Sequence, residues 1–422
     1  MAGRNNKIAI PSLIKRNTAY LASSQAFSGA GAQMVPTISP VLVIQMIGSA
    51  SLAGIGSSIS GLSRFLISYP IGRLTDRFGR KSGVILGLLL VGSGASITGI
   101  SAVLNAFPVF LAGMLIMGLG TGAVQQLRVA AADMYPPNRR AEGLGLVLTG
   151  SLVGAVVSPI LLKISEVFAV QLGLEPIALA WFFIPIAVVF SVLMVMKVNP
   201  DPKVIASNLG DYYPDYVPPS TPQTGSGKVG ILHFLRHYPK LTAFVSMFSV
   251  QGNMNMMMVM TSVALNHHGH ALSAISVSIA IHVIGMFGFS LPLGRLADRI
   301  GRRNVMLGGL VLASMGTGLV VITPSYSIIT VGTFFVGVGW SCINIGATAL
   351  YADTTVPEER GRVVGANDTF TAASAIIMPL VGGTVLEYFG LAVLGLLGVA
   401  MMIPASVLLI RLKESTPGTY QH

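Results

Sequence analysis

Charge is what this chain has least of. Only 10% of its 422 residues are Asp, Glu, Lys or Arg, against 52% hydrophobic residues and a mean hydropathy of +0.74. Soluble domains carry roughly a quarter charged residues. A chain this apolar would leave most of its helix faces uncovered in water, so a soluble globular class is excluded. Cysteine is nearly absent as well, and Cys342 alone allows neither an intramolecular disulfide nor a thiolate metal cluster. No GxxxxGK[ST] phosphate loop occurs, which excludes ATP as the energy source. Neither a catalytic-triad spacing nor a metalloprotease pattern is visible, so no enzymatic activity and no cofactor are expected. The first residues are polar and basic, without a cleavable signal pattern.

What the chain does have is long apolar runs. A helix crossing the hydrocarbon layer needs about 20 such residues, and twelve candidates fall between residues 18 and 410. Glycine is abundant, at 49 residues, as membrane helices that approach closely require. The fold class expected is an all-α membrane protein. The net charge of +11 follows the topology: if twelve helices alternate, 23 of the 26 Lys and Arg lie on one side, all but Arg64, Arg128 and Lys163. The positive-inside rule then puts both termini in the cytoplasm of a multi-pass protein of the cell (inner) membrane. The partners expected are the lipid bilayer and a small-molecule or metal-ion substrate, with no nucleic acid and no ATP.

One charged segment occurs twice. Gly72-Arg73-Leu74-Thr75-Asp76-Arg77-Phe78-Gly79-Arg80-Lys81 returns as Gly294-Arg295-Leu296-Ala297-Asp298-Arg299-Ile300-Gly301-Arg302-Arg303, so Asp76 and Asp298 are 222 residues apart. Further along, Asp133 matches Asp353, Gly145 matches Gly365 and Pro159 matches Pro379, each at an offset of 220. Such a period describes two homologous halves. The expected organisation is an N-terminal six-helix bundle over 1–197, a proline-rich cytoplasmic linker over 198–239 and a C-terminal six-helix bundle over 240–422.

The duplicated Gly-x-x-x-Asp-Arg-x-Gly-Arg-Lys/Arg segment, over this topology, resembles the major facilitator superfamily. The resemblance implies two pseudo-symmetric six-helix bundles around a central cavity, working as a secondary transporter by alternating access. It also implies a cytoplasmic gate formed by Gly72, Asp76, Arg77, Gly79, Arg80 and Asp133 with Gly294, Asp298, Arg299, Gly301, Arg302 and Asp353. In that gate Asp76 sits at the N-terminus of the eleventh helix, where the helix dipole favours a carboxylate by roughly 0.3–1 kcal/mol. Arg80 pairs with Asp133, and Arg302 with Asp353. Compared with the drug–proton antiporters of the family, helix 1 has no carboxylate, and Met114 stands where they carry an arginine in helix 4. A non-transporting sensor or scaffold on the same fold is the alternative class.

Three charges fall inside apolar runs: Arg64, Arg128 and Asp368. Each costs at least about 2.5 kcal/mol in the bilayer, which requires either a partner or an aqueous path. Two readings are open: Asp368 pairs with Arg64 or Arg128 and carries a coupling proton, or the three side chains snorkel to the surface. Gln25 and Gln33 in helix 1, with Gln251, Asn253 and Asn255 in helix 7, are expected to face the cavity and orient a substrate. Helix 7 also carries Met254 and Met258 at i, i+4, and helix 8 carries His282 and Met286 at the same spacing. Thioethers with an imidazole suit Cu(I), and the arrangement resembles the copper-importing branch of the superfamily. A cavity lined by flexible methionine equally suits apolar organic solutes. The substrate expected is therefore either a small organic compound, moved with protons, or a copper ion.

Overall fold

In hydrocarbon every backbone N–H and C=O needs an internal partner, so the apolar runs close into helices. The computed structural model describes residues 9–136, 139–214, 234–322, 325–355, 359–416 and 419–420. The first half contains α1 (Ser12–Ile47), α2 (Ile55–Phe78), α3 (Arg80–Leu104), α4 (Phe107–Val124) continued by α5 (Gln126–Asp133), α6 (Arg140–Leu172) and α7 (Pro176–Met196). Two short helices follow, α8 (Pro202–Ser207) and α9 (Leu209–Tyr212). The second half contains α10 (Tyr238–His267), α11 (Leu272–Phe287) continued by α12 (Ser290–Ile300), α13 (Arg302–Ile322), α14 (Tyr326–Thr354), α15 (Arg360–Ala400) and α16 (Met402–Arg411). A small hairpin pairs β1 (Glu414–Thr416) with β2 (Thr419–Tyr420).

Among the described residues nine stretches are long and apolar enough to cross a membrane. One of them, Arg362–Arg411, holds two crossings, because α15 is broken at Gly390, whose φ of 81° and ψ of 177° are non-helical. The remaining two crossings are α2 and α10, whose Ser, Gln, Asn and Arg residues dilute their hydropathy. Twelve crossings result, as expected from the sequence.

Each half is knit by the same helix pairs. In the first, α1 packs on α6 and α7, and α3 on α4 and α7; in the second, α10 packs on α15 and α16, and α13 on α14 and α16. Glycines permit the closest of these approaches. A methyl group on Gly120 of α4 would lie 2.5 Å from the Val91 backbone nitrogen, and one on Gly339 of α14 would lie 2.6 Å from the Gly309 carbonyl oxygen. A buried apolar core led by Trp181, Phe110 and Tyr135 fills the first half, and a second core around Phe244, Met306 and Tyr351 lies in the other.

The duplicated loops are held by a carboxylate at a helix N-terminus. Asp201, just past α7, accepts from the backbone N–H groups of Arg80 and Lys81 at 3.1 and 3.0 Å, the first residues of α3. Glu414, just past α16, accepts from the backbone N–H groups of Arg302 and Arg303, both at 3.1 Å, at the start of α13. These are otherwise unpaired donors at the positive end of the helix dipole. The chain turns into each helix through a glycine at positive φ: Gly79 at 94° and Gly301 at 93°. A Cβ at Gly79 would lie 2.6 Å from the Asp201 carboxylate, and one at Gly301 would lie 2.6 Å from that of Glu414. The start of the expected linker is therefore folded onto the first half. Ile205 is buried there, and the Tyr213 hydroxyl donates to the Met134 carbonyl oxygen at 3.0 Å. The middle of that linker, 215–233, lies outside the described residues.

Gly79→Ala is expected to destabilise the protein by about 1–3 kcal/mol, the cost of forcing a side chain into this backbone region, read as a lower unfolding midpoint in detergent. Gly294→Ala, inside α12 and with nothing within 4 Å of an added Cβ, is the control and should leave the midpoint the same or higher, since Ala is the better helix former.

Candidate functional site

The two halves meet at one end of the bundle, away from the basic loops. A methyl on Gly54 would collide with the Pro379 carbonyl, and one on Gly383 would lie 2.6 Å from the Ala50 carbonyl oxygen. Ser158 Oγ of α6 and Ser276 Oγ of α11 are 3.0 Å apart, and the Ser262 hydroxyl donates to the Pro36 carbonyl at 2.8 Å.

Two carboxylates fasten this end. Glu166 of α6 accepts from the backbone N–H and hydroxyl of Ser273, at 2.8 and 2.9 Å, in the first turn of α11. Glu387 of α15 accepts from the Ser49 hydroxyl at 2.6 Å and the Ser51 N–H at 2.5 Å, in the turn that leads into α2. Glu166 and Glu387 are 221 positions apart, one off the 220-residue offset of the fifth crossings, and Ser51 and Ser273 are 222 apart, the offset of the charged loops. Each half's fifth crossing thus holds the start of the other half's second crossing.

At the basic end the halves stand apart. Arg80 Nε bonds Asp133 at 2.9 Å and Arg302 Nε bonds Asp353 at 3.1 Å, the two pairs anticipated from the sequence. Asp76 reaches Arg80 at 3.2 Å and Asp298 reaches Arg302 at 3.0 Å, while both carboxylates remain 72% and 71% exposed. The Lys203 ammonium donates to the Asp76 carbonyl. Among the described residues, the expected contact between Asp76 and the start of the eleventh crossing is not made in this conformation. The splayed halves explain this: an added Cβ on Gly72, Gly145, Gly294 or Gly365 would meet nothing within 4 Å. Arg77 lies over the Phe78 ring at 5.1 Å, and Arg299 closes the last turn of α12.

Between the halves lies a cavity of about 400 Å³. It brings together Gln25, Gln33, Met254, Asn255, Met258, His282 and Met286 with Arg64 and Arg128. His282 is held by its Nδ1, 2.7 Å from the Thr333 carbonyl oxygen. Since that oxygen can only accept, Nδ1 carries the proton and Nε2 presents a lone pair. Nε2, the Ser60 hydroxyl and the Asn255 Nδ2 are buried with no protein partner, and all three residues line the cavity. Buried polar atoms are normally satisfied, so three in one place describe a site shaped for something else. Sequence reasoning missed Ser60, Gln125 and Phe287, which no motif marks.

Two expectations are corrected. Asn253 turns away from the cavity: it is fully buried and exchanges hydrogen bonds with Thr317 of α13 at 2.9 and 3.2 Å. Gln251 is not among the lining residues, its Oε1 accepting from the Trp340 indole at 2.8 Å. Asp368 forms no ion pair with Arg64 or Arg128 among the described residues. It sits on the part of α15 nearer the basic end, while α2 and α15 touch at the other end, where a Cβ on Gly61 would lie 3.4 Å from Ala375.

The sequence profile of the Major Facilitator Superfamily matches residues 21–252 and again residues 241–421. The chain belongs to this superfamily. It is 27% identical over 406 residues to the uncharacterized MFS-type transporter YdeG of Bacillus subtilis, covering 94% of this chain and 92% of that protein. It is 26% identical over 391 residues to the riboflavin transporter RfnT of Brucella anthropi, covering 89% and 90%. Among solved structures it is similar to the inward-facing, occupied form of a bacterial homolog of the human lysosomal transporter Spinster, with a TM-score of 0.71 over 93% of this chain and 95% of that one at 14% identity. A point mutant of the nucleoside transporter NupG gives a TM-score of 0.72 over 94% and 99% at 12% identity. These likenesses establish the fold, and the family makes the chain a multi-pass membrane transporter.

Glu166→Gln with Glu387→Gln is expected to loosen the closed end. Each carboxylate at a helix start is worth about 0.3–1 kcal/mol from the dipole alone, so losing both should raise the open population several-fold. The check is labelling of Ala280→Cys, in a Cys342→Ser background, by a membrane-impermeant maleimide. Unchanged labelling would show that the glutamates do not hold this end.

Proposed function

We propose that this chain is a secondary transporter that moves a small organic solute by alternating access. The observation that carries the reading is the cavity of about 400 Å³ walled by both halves, with the halves joined at the end away from the basic loops and the loop glycines uncovered at the other. That volume is far more than an ion requires and falls within the range of small-molecule sites. Gln25, Gln33 and Asn255 supply hydrogen bonds, while Met254, Met258, Met286 and Phe287 supply apolar wall. By the positive-inside rule the open end faces the cytoplasm, in the cell's inner membrane, with both termini on that side.

The gate residues then have two states. The pairs Arg80–Asp133 and Arg302–Asp353 keep each half rigid throughout. Asp76 and Asp298, exposed here, dock on the opposite half when the cytoplasmic end closes. Gly72, Gly145, Gly294 and Gly365 provide the flat surfaces for that closure, which is why nothing touches them in this state. The Glu166 and Glu387 contacts break in the same step.

Copper remains a second reading, because Met254, Met258, Met286 and the free Nε2 of His282 all line the one cavity. Electrostatics weigh against it: a cation entering would meet Arg64 and Arg128, with no Asp or Glu lining the cavity among the described residues.

The test is flux into proteoliposomes from a panel of organic solutes, beginning with riboflavin, the cargo named for a 26%-identical relative. Ser158→Cys with Ser276→Cys, in a Cys342→Ser background, should stop flux when oxidised and restore it on reduction. Flux that never exceeds that of empty liposomes would favour the sensor or scaffold class. Copper uptake lost in Met258→Leu with His282→Ala, with no organic flux, would favour the metal.

A further inference from the structure

The two arginines of the cavity are the least explained charges in the molecule. Arg64 of α2 and Arg128 of α5 both line it. No ion pair reaches either guanidinium among the described residues. Among the described residues, the only side-chain hydrogen bond at Arg64 runs from Nε to the Ser60 carbonyl oxygen in its own helix, at 3.3 Å. Every other arginine of the first half's basic loops that pairs does so with a neighbouring carboxylate, as Arg80 does with Asp133 and Arg139 with Glu142. Among the described residues, no carboxylate lines the cavity to answer Arg64 and Arg128. The opposite wall is different in kind: it is built from Met254, Met258, Met286 and Phe287, with the bare Nε2 of His282 and the unpaired Nδ2 of Asn255 set into it.

We propose that the transported solute is an organic anion whose acidic group, a carboxylate or a phosphate, is bound by Arg64 and Arg128. Its apolar body lies against the methionines and Phe287 of the other half. Guanidinium groups match carboxylate and phosphate oxygens in geometry and remain charged throughout. His282 Nε2 accepts a hydrogen bond from a donor on the solute, and the Asn255 amide donates one to an acceptor. The acidic group is thus held by the first half and the body by the second, so only a bound solute links the two walls across the open end. The inference rests on the organic-solute reading above and narrows it to one charge class.

The experiment uses purified full-length protein in detergent and pairs of compounds that differ in charge but little in shape. Benzoate with benzamide and 2-naphthoate with 2-naphthamide probe a carboxylate; riboflavin 5′-phosphate with riboflavin probes a phosphate. The acidic member of at least one pair should bind roughly tenfold or more tightly than its neutral partner, as a charge-assisted hydrogen bond implies, and the pair that shows it identifies the acidic group. Arg64→Gln and Arg128→Gln should each erase that preference. Without ligand, both variants should unfold at or above the wild-type temperature, because each removes a charge that the protein itself leaves unanswered. Neutral members binding as tightly as acids, or acids binding the Gln variants unchanged, would overturn the anion assignment while leaving organic-solute transport standing. Lower stability of both unliganded variants would also overturn it, by showing that the guanidiniums serve the fold. If no member of any pair binds and only Cu(I) does, the organic-solute reading falls together with the inference.

Discussion

A carboxylate meeting the positive start of a helix is the interaction on which this architecture depends. Two such contacts lie within halves, Asp201 on α3 and Glu414 on α13. Two lie between halves, Glu166 at the start of α11 and Glu387 at the turn into α2. In three of them the N–H groups belong to the first turn of the helix, whereas Glu387 takes the Ser49 hydroxyl and the Ser51 N–H in the turn ahead of α2, and the placement differs among all four. A contact inside one half is made in every state and stiffens it. A contact between halves is made in one state only and must be weak enough to release. An interaction worth about 0.3–1 kcal/mol, rising with added hydrogen bonds, suits both uses, since the rigid pairs are reinforced by Arg80–Asp133 and Arg302–Asp353 while the releasable ones add only serine hydroxyls and, at Glu166, the exposed Lys163 ammonium at 3.3 Å.

The division explains where the molecule can bend. Within a half, glycine-mediated helix contacts and a continuous apolar core leave no slack. Across the halves, the described contacts gather at one end, so in the proposed alternating-access cycle rotation about that end opens the cavity and the reverse rotation closes it. The carboxylates at the basic end, Asp76 and Asp298, are exposed in this conformation because the surfaces that would receive them are apart. Their high exposure is therefore a property of the state and not of the residues.

The charged loops were legible in the sequence because they are written twice, the twelve crossings because each is a long apolar run, and the two Arg–Asp pairs through the family resemblance. The four helix-start carboxylates were not, since a lone Glu or Asp in a polar stretch carries no pattern of its own. A signal did exist: Glu166 and Glu387 fall one residue off the repeat offset of the fifth crossings, and Asp201 and Glu414 each follow the sixth crossing of a half. The cavity was half legible. Gln25, Gln33, Asn255 and the Met and His residues lie where expected, but Asn253 and Gln251 do not. The segment Gln251–Asn255 is polar on more than one face of its helix, and consecutive residues point about 100° apart. Periodicity therefore cannot say which amide faces the cavity and which meets Thr317 or Trp340.

The arginines tie the cavity to the motion. An intramembrane charge costs at least about 2.5 kcal/mol on the most lenient scale, and most such charges have a partner inside the protein. Arg64 and Arg128 face an aqueous opening, which lowers that cost without removing it, since closing the basic end would strip their water away. In a transporter of this design the empty return is the slow step, because closure without cargo would bury two unanswered guanidiniums. A bound anion removes the obstacle by neutralising them at the moment of closure. The same two charges that select the cargo thereby couple movement of the halves to its presence, and no separate sensing element is needed.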